Sequence, residues 1–211
     1  MSNTFVDGAR VAVLVAHPDD ETLWCGGTLL QHPTWDVFIG TLCRASDPDR
    51  SRKFSHVLGE LGAQGKMADL DDGPEQTALE RSAVCDALLG LLGERSFDLV
   101  ITHAPGGEYT RHRRHEEVSA AVLELWGRGT LRTSELWLFA YDDGNRSYLP
   151  RALPNADLRW DLPEPIWLRK QRLITDGYGF EMQSWEARVT PRTEAFWRVT
   201  SPADALARIP R

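Results

Sequence analysis

The sequence predicts an α/β fold: a doubly wound, mainly parallel sheet with helices on both faces. Three observations carry that prediction. Short, almost unbroken apolar runs recur along the chain, and segments with helical apolar spacing alternate with them. The densest polar clusters directly follow two of the apolar runs, where open parallel sheets place their ligands.

Residues 10–16 (RVAVLVA) are nearly continuous in apolar character, as a strand buried on both faces requires. Residues 36–42 (DVFIGTL) read the same way. The polar, turn-rich stretch 46–52 (SDPDRSR) is expected to be a mobile surface loop. Phe54, Val57, Leu58 and Leu61 then fall at i, i+3, i+4 and i+7, a helix stopped by Gly62. Residues 66–70 give a short strand, and Pro74 opens a longer helical segment ending at Gly93. Residues 97–102 (FDLVIT) and 135–140 (ELWLFA) are two more strands. Between them Val118, Ala121, Val122 and Leu125 mark a helix ending near Gly127. From about residue 142 to 211 the pattern is less regular. Pro150, Pro154, Pro163 and Pro165 break up residues 142–165, with a helix expected at 166–175 and a strand at 187–189.

The 211 residues fit one domain spanning 1–211, and 42% hydrophobic residues suffice for a sizeable core. A net charge of −7 supplies no long-range attraction to nucleic acid or an anionic membrane, so neither is an expected partner. Cys25, Cys43 and Cys85 are widely spaced and odd in number. That pattern argues against a disulfide framework or a thiolate zinc site, and for reduced thiols in a cytoplasmic protein. The apolar run Val11 to Ala16 is too short for a leader or a membrane span. A homo-oligomer is left open.

The chemistry sits in two loops. One follows the first strand as His17-Pro18-Asp19-Asp20-Glu21; the other follows the strand near residue 100, from His103 through Glu108, Tyr109, Arg111 and His112 to His115. Four of the six histidines lie there. Imidazoles with a carboxylate and no thiolate suit a catalytic zinc ion with an open position. His17 and Asp20, three apart across a turn, and His115 from the second loop are the expected ligands. Asp19 is then free to act as general base on the water whose pKa the ion lowers. His112, three residues before His115, falls on the same side of a helix and is placed to donate to the developing oxyanion. Gly26 and Gly27 would let the backbone pass close to the metal site.

These residues carry a resemblance. AHPDDETLWCGGTL (residues 16–29), with THAPGGEYTRHRRHEEV (102–118) some eighty residues later, resembles the PIG-L/LmbE-like family of zinc N-deacetylases. The resemblance covers roughly residues 8 to 125, and TEAFWRV (193–199) echoes it faintly. It implies a Rossmann-like fold, zinc on His17, Asp20 and His115, Asp19 as base and His112 as transition-state partner. It implies a small-molecule N-acyl substrate such as an N-acetylated amino sugar. Two departures stand out. Residues 52–54 lack the acid that commonly follows an Arg in the second helix, and Arg113-Arg114 replace the usual Pro-Asp between the two histidines. Two extra cations at the pocket mouth would favour an anionic substrate.

Glu21, His103, Glu108 and Tyr109, with Arg113 and Arg114, are the candidate substrate contacts. Glu21 reads equally as a partner orienting a ligand histidine or as a first-turn acid. His32 and His56 read as surface residues and Cys25 as a buried thiol. The late tryptophans read as packing residues, with one or two stacking on a sugar ring. Besides an N-deacetylase, the residues admit a metal-dependent phosphoesterase, or a non-catalytic zinc- or sugar-binding domain. Two-metal centres and closed structural sites, respectively, would distinguish those readings.

Overall fold

The computed structural model describes residues 7–208. Strand β1 (Arg10–Val15) shows why the sheet must be covered on both sides. Ala12 and Leu14 point into one hydrophobic core, while Val11, Val13 and Val15 point into another. Successive strand residues face opposite ways, so an unbroken apolar run needs two cores.

The chain then alternates as α1 (Asp20–Gln31), β2 (Asp36–Cys43), α2 (Pro48–Leu61), β3 (Gln64–Leu70), α3 (Arg81–Leu92), β4 (Phe97–Thr102), α4 (Arg113–Gly127) and β5 (Thr133–Phe139). The short strands β6 (Tyr141–Asp142) and β7 (Arg151–Ala152) pair with each other, and β8 (Leu158–Asp161) follows. Helix α5 (Glu164–Arg172) runs on as a π-helical turn, Leu173–Gly177, before α6 (Trp185–Val189), β9 (Thr193–Val199) and α7 (Pro202–Arg208). The main sheet has the order β3-β2-β1-β4-β5-β9-β8. Its first five strands are parallel, and β9 and β8 close one edge antiparallel. Residues of α1 and α2 fill one core, and residues of α3, α4 and α7 the other. Strand order reverses direction between β1 and β4, which opens a crevice beyond their carboxyl ends. No helix among the described residues is long and apolar enough to cross a membrane.

The sheet, its five parallel strands and the helices on both faces are as the sequence predicts. Four local expectations are corrected. Residues 46–52 are no loose loop: Asp47 caps α2 by accepting the N–H groups of Asp49 and Arg50 at 3.0 and 3.1 Å, and Pro48 starts the first turn. Pro74 opens no helix. The Arg114 guanidinium binds the Asp71 and Thr77 carbonyls at 2.5 and 2.8 Å, which holds this stretch as a loop until α3. Residues 187–189 belong to helix α6, capped by Ser184, whose hydroxyl accepts the Ala187 N–H at 3.2 Å. The proline-broken excursion contains β8, which pairs with β9 at the sheet edge.

Gly27 has a tertiary purpose other than the expected approach to a metal. A methyl group there would overlap the Leu162 side chain and come within 2.9 Å of Glu194 Oε1. Glu194, fully buried on β9, accepts the N–H groups of Gly27 and Thr28 at 2.8 and 2.7 Å. It also pairs with buried Lys170 of α5 at 2.7 Å. Helix α1, which carries Asp20, is thereby tied to the far edge of the sheet. Gly27→Ala is expected to lower stability by about 1–3 kcal/mol through overpacking. Urea denaturation checks this, and an unchanged midpoint would show that α1 and β9 separate freely.

Candidate active site

The loops after β1 and β4 meet in the crevice. There a cavity of about 350 Å³ is lined by His17, Asp19, Asp20, Tyr109, His112 and Trp185, among others. The structure thus brings together His17, Asp20 and His115, the expected ligand set. His17 Nδ1 lies 3.2 Å from Asp20 Oδ2, and His115 Nε2 lies 3.4 Å from Asp20 Oδ1. A nitrogen of His17, one of His112 and one of His115 also fall within 4.8 Å of one another. His112 is the N-cap residue of α4 and His115 stands in the first turn, with their rings stacked at 4.4 Å.

Asp20 is 3% exposed. Burial alone would raise its pKa, but the neighbouring imidazoles, His115 foremost and His17 with it, outweigh burial and hold it well below the usual carboxylate range. Asp19 is the opposite case. Burial first, then the charge of Asp20, pushes its pKa up. Its backbone sits at φ 138°, a conformation that costs a non-glycine residue about 1–3 kcal/mol. Glu21 helps hold it there: its Oε2 accepts the Asp19 N–H at 3.1 Å, and its Oε1 accepts the Tyr178 hydroxyl at 2.7 Å. His112 has its pKa lowered to about 3 by burial and by the neighbouring His115 and His17, so its imidazole is neutral with one N–H to donate. For His17, burial lowers the pKa, yet the neighbouring Asp20 and Asp72 carboxylates raise it to about 9.

The remaining candidates divide. Tyr109 lines the cavity. Glu21, His103 and Glu108 do not line it; each is fully buried behind it, where substrate has no access. Glu108 Oε2 instead accepts the Nδ1–H groups of His103 and His115 at 2.9 and 2.6 Å. The bond to His115 leaves the Nε2 lone pair facing Asp20. Burial opposes protonation of His103, while Glu108 and Asp20 favour it. The Ala16 N–H, donated to its Nε2 at 3.0 Å, requires the neutral ring. Arg114 is 1% exposed and bonded to Glu117 as well as the loop carbonyls, and Arg113 is not part of the cavity wall. The cations at the cavity are Arg44 and Arg50, with Arg50 3.7 Å from Asp19. The expected Arg113–Arg114 mouth is therefore corrected: the first turn of α4 commits Arg114 to the core.

Sequence reasoning missed Asp72, Arg44, Arg50 and Glu186, all in the cavity wall. Asp72 just follows β3, and its place beyond a strand end was the available signal. Trp185 is the late tryptophan that reaches the cavity, 4.8 Å from the Tyr109 ring. Nothing in the local sequence separates it from its packing counterparts.

The donors fit a divalent ion. His115 Nε2 is buried without a hydrogen-bond partner and lies 3.4 Å from Asp20 Oδ1, an orphaned nitrogen beside a carboxylate that a cation between them would satisfy.

No family model matches the chain. An uncharacterized protein of Acanthamoeba polyphaga mimivirus is 24% identical over 62% of this chain; the alignment spans 61% of the relative's length. Among solved structures, N,N′-diacetylchitobiose deacetylase from Pyrococcus horikoshii superposes with a TM-score of 0.69 at 15% identity, over 94% of this chain and 86% of its own. Teicoplanin deacetylase Orf2, in a zinc-inhibited form, gives 0.59 at 16%, over 80% and 83%. The 4-carboxy-2-hydroxymuconate hydratase GalB from Pseudomonas putida KT2440 gives 0.64 at 13%, over 92% and 97%. The fold is shared with all three. Deacetylases and a hydratase share it, so the chemistry must be argued from the site.

Glu108→Gln is expected to weaken binding of a divalent ion about 10–100-fold, because His115 loses its orienting carboxylate. Competition with a chelating dye reads this. Affinity equal to that of the parent would remove Glu108 from the metal centre.

Proposed function

We propose that the chain is a metal-dependent N-deacetylase of the LmbE/PIG-L kind, with zinc as its ion. It takes an acetyl or other small acyl group from an N-acylated amino sugar or related small metabolite. One observation carries this reading: Asp19, a carboxylate outside the His17, Asp20 and His115 donor set, is held in a strained conformation in the wall of the same cavity. A closed structural metal site has no use for such a group.

His17, Asp20 and His115 would hold the ion. When bound, it supplies Lewis-acid polarisation of water and of the acyl carbonyl. Asp19 takes the proton from the attacking water, which its raised pKa suits it to do. As the carbonyl carbon becomes tetrahedral, the N–H of neutral His112 donates to the developing oxyanion. The C–N bond then breaks, and the proton on Asp19 passes to the departing nitrogen, giving amine and carboxylate. Tyr109 and Trp185 supply aromatic wall for a sugar ring.

The test is release of free amine from a panel of N-acetylated amino sugars by metal-loaded protein. Asp19→Ala is expected to retain its metal and lose about 10²–10⁴-fold in rate. Activity surviving in that variant would remove Asp19 as base, and no release from any member would remove the deacetylase reading.

The pH profile has a defined sign. Asp19 must be ionised to act, so kcat/KM falls on acidification. Because its pKa is raised, the acid limb is expected above about 3.9, the ordinary Asp value. A flat profile down to that pH would contradict the assignment.

A further inference from the structure

The His17 ring faces two donor sets. Its Nδ1 looks toward Asp20. Its Nε2 lies 3.1 Å from Asp72 Oδ1, yet it is buried and makes no directed hydrogen bond. Cys43, fully buried at the end of β2, completes a trio: donor atoms of His17, Cys43 and Asp72 all lie within 4.8 Å of one another. His17 and Asp72 line the cavity, so an ion entering there meets them with Cys43 behind.

We propose that His17 Nε2, the Cys43 sulfur and Asp72 form a second cation site, selective for a thiophilic divalent ion such as zinc or cadmium. A thiolate with one imidazole and one carboxylate is a soft donor set, unlike the all-nitrogen-and-oxygen set of His17, Asp20 and His115. As the sulfur–ion bond forms, the S–H bond breaks and its proton goes to solvent. Arg44, which donates to Asp72 Oδ2 from Nε at 3.0 Å and Nη2 at 2.6 Å, yields its place. Its side chain is 47% exposed, so the guanidinium swings into water at little cost.

The two sites are coupled through one ring. A neutral imidazole has a lone pair on only one nitrogen. An ion on Nε2 leaves the proton on Nδ1, and His17 is then lost to the first set. Excess thiophilic metal therefore inhibits whatever reaction the first set supports. The site follows from geometry and does not depend on the deacetylase reading.

The experiment titrates metal-loaded protein with cadmium chloride in thiol-free buffer, following the ultraviolet cadmium–thiolate absorption. One thiolate equivalent per chain is expected in the parent and none in Cys43→Ala, which keeps its first ion. An equal band in Cys43→Ala would assign the thiolate to Cys25 or Cys85, and no band in the parent would remove the site outright. If Cys43→Ala does not fold, Asp72→Asn decides. It retains the thiol, and the midpoint is expected to need at least about tenfold more cadmium; an unshifted midpoint overturns the proposal.

Discussion

One buried carboxylate organises the crevice between β1 and β4. Asp20 accepts the His17 backbone N–H at 2.8 Å and the Trp24 indole N–H at 3.2 Å, while the rings of His17, His103 and His115 approach it from the two loops. A charge removed from water is costly unless it is surrounded by donors. Asp20 meets that condition by standing in the first turn of α1, where the helix dipole favours an anion. The histidines cannot relax away from it, because Glu108 holds two of them from behind. The same arrangement leaves ring nitrogens unpartnered, atoms that a cation in the crevice would engage.

The site also draws on parts of the chain far from its two loops. Tyr178, in the turn after α5, bonds Glu21, and Glu21 bonds the strained Asp19 backbone. Glu194 and Lys170 tie α1 to β9 and α5. Trp185 and Glu186 bring α6 to the cavity wall. The C-terminal third is thus the backing of the site, although its sequence pattern is the weakest. A strained backbone at Asp19 needs more support than two loops provide.

The fold shared with deacetylases and with a hydratase places a crevice without choosing a reaction. What is particular to this chain is the wall of that crevice. Asp72 connects the exposed Arg44 to the His17 ring, and Cys43 lies next to both His17 and Asp72. Arg50 stands over Phe180 at 4.8 Å and near Asp19 at 3.7 Å. Cys43 ends β2 and Arg44 follows it, Arg50 comes from α2 and Asp72 from the loop after β3, all outside both histidine loops.

The sequence by itself determined the parallel sheet and the two loops that matter. Unbroken apolar runs can be buried only between two layers of helices, and His17, Asp19, Asp20, His112 and His115 stand at strand ends where such sheets bind ligands. It also determined α2 and α4 from apolar spacing. Tertiary structure alone decided which polar residues face the cavity and which stand behind it. Glu108 and Tyr109 are adjacent, yet one is sealed in the core and the other lines the wall. Arg114 turns inward because the loop carbonyls at Asp71 and Thr77 await it. Trp185 reaches the site while Trp126 and Trp137 fill cores. Periodicity reports only how a residue faces its own element. What lies opposite is supplied by chain tens of residues away, and its polarity decides whether a side chain becomes ligand, support or wall.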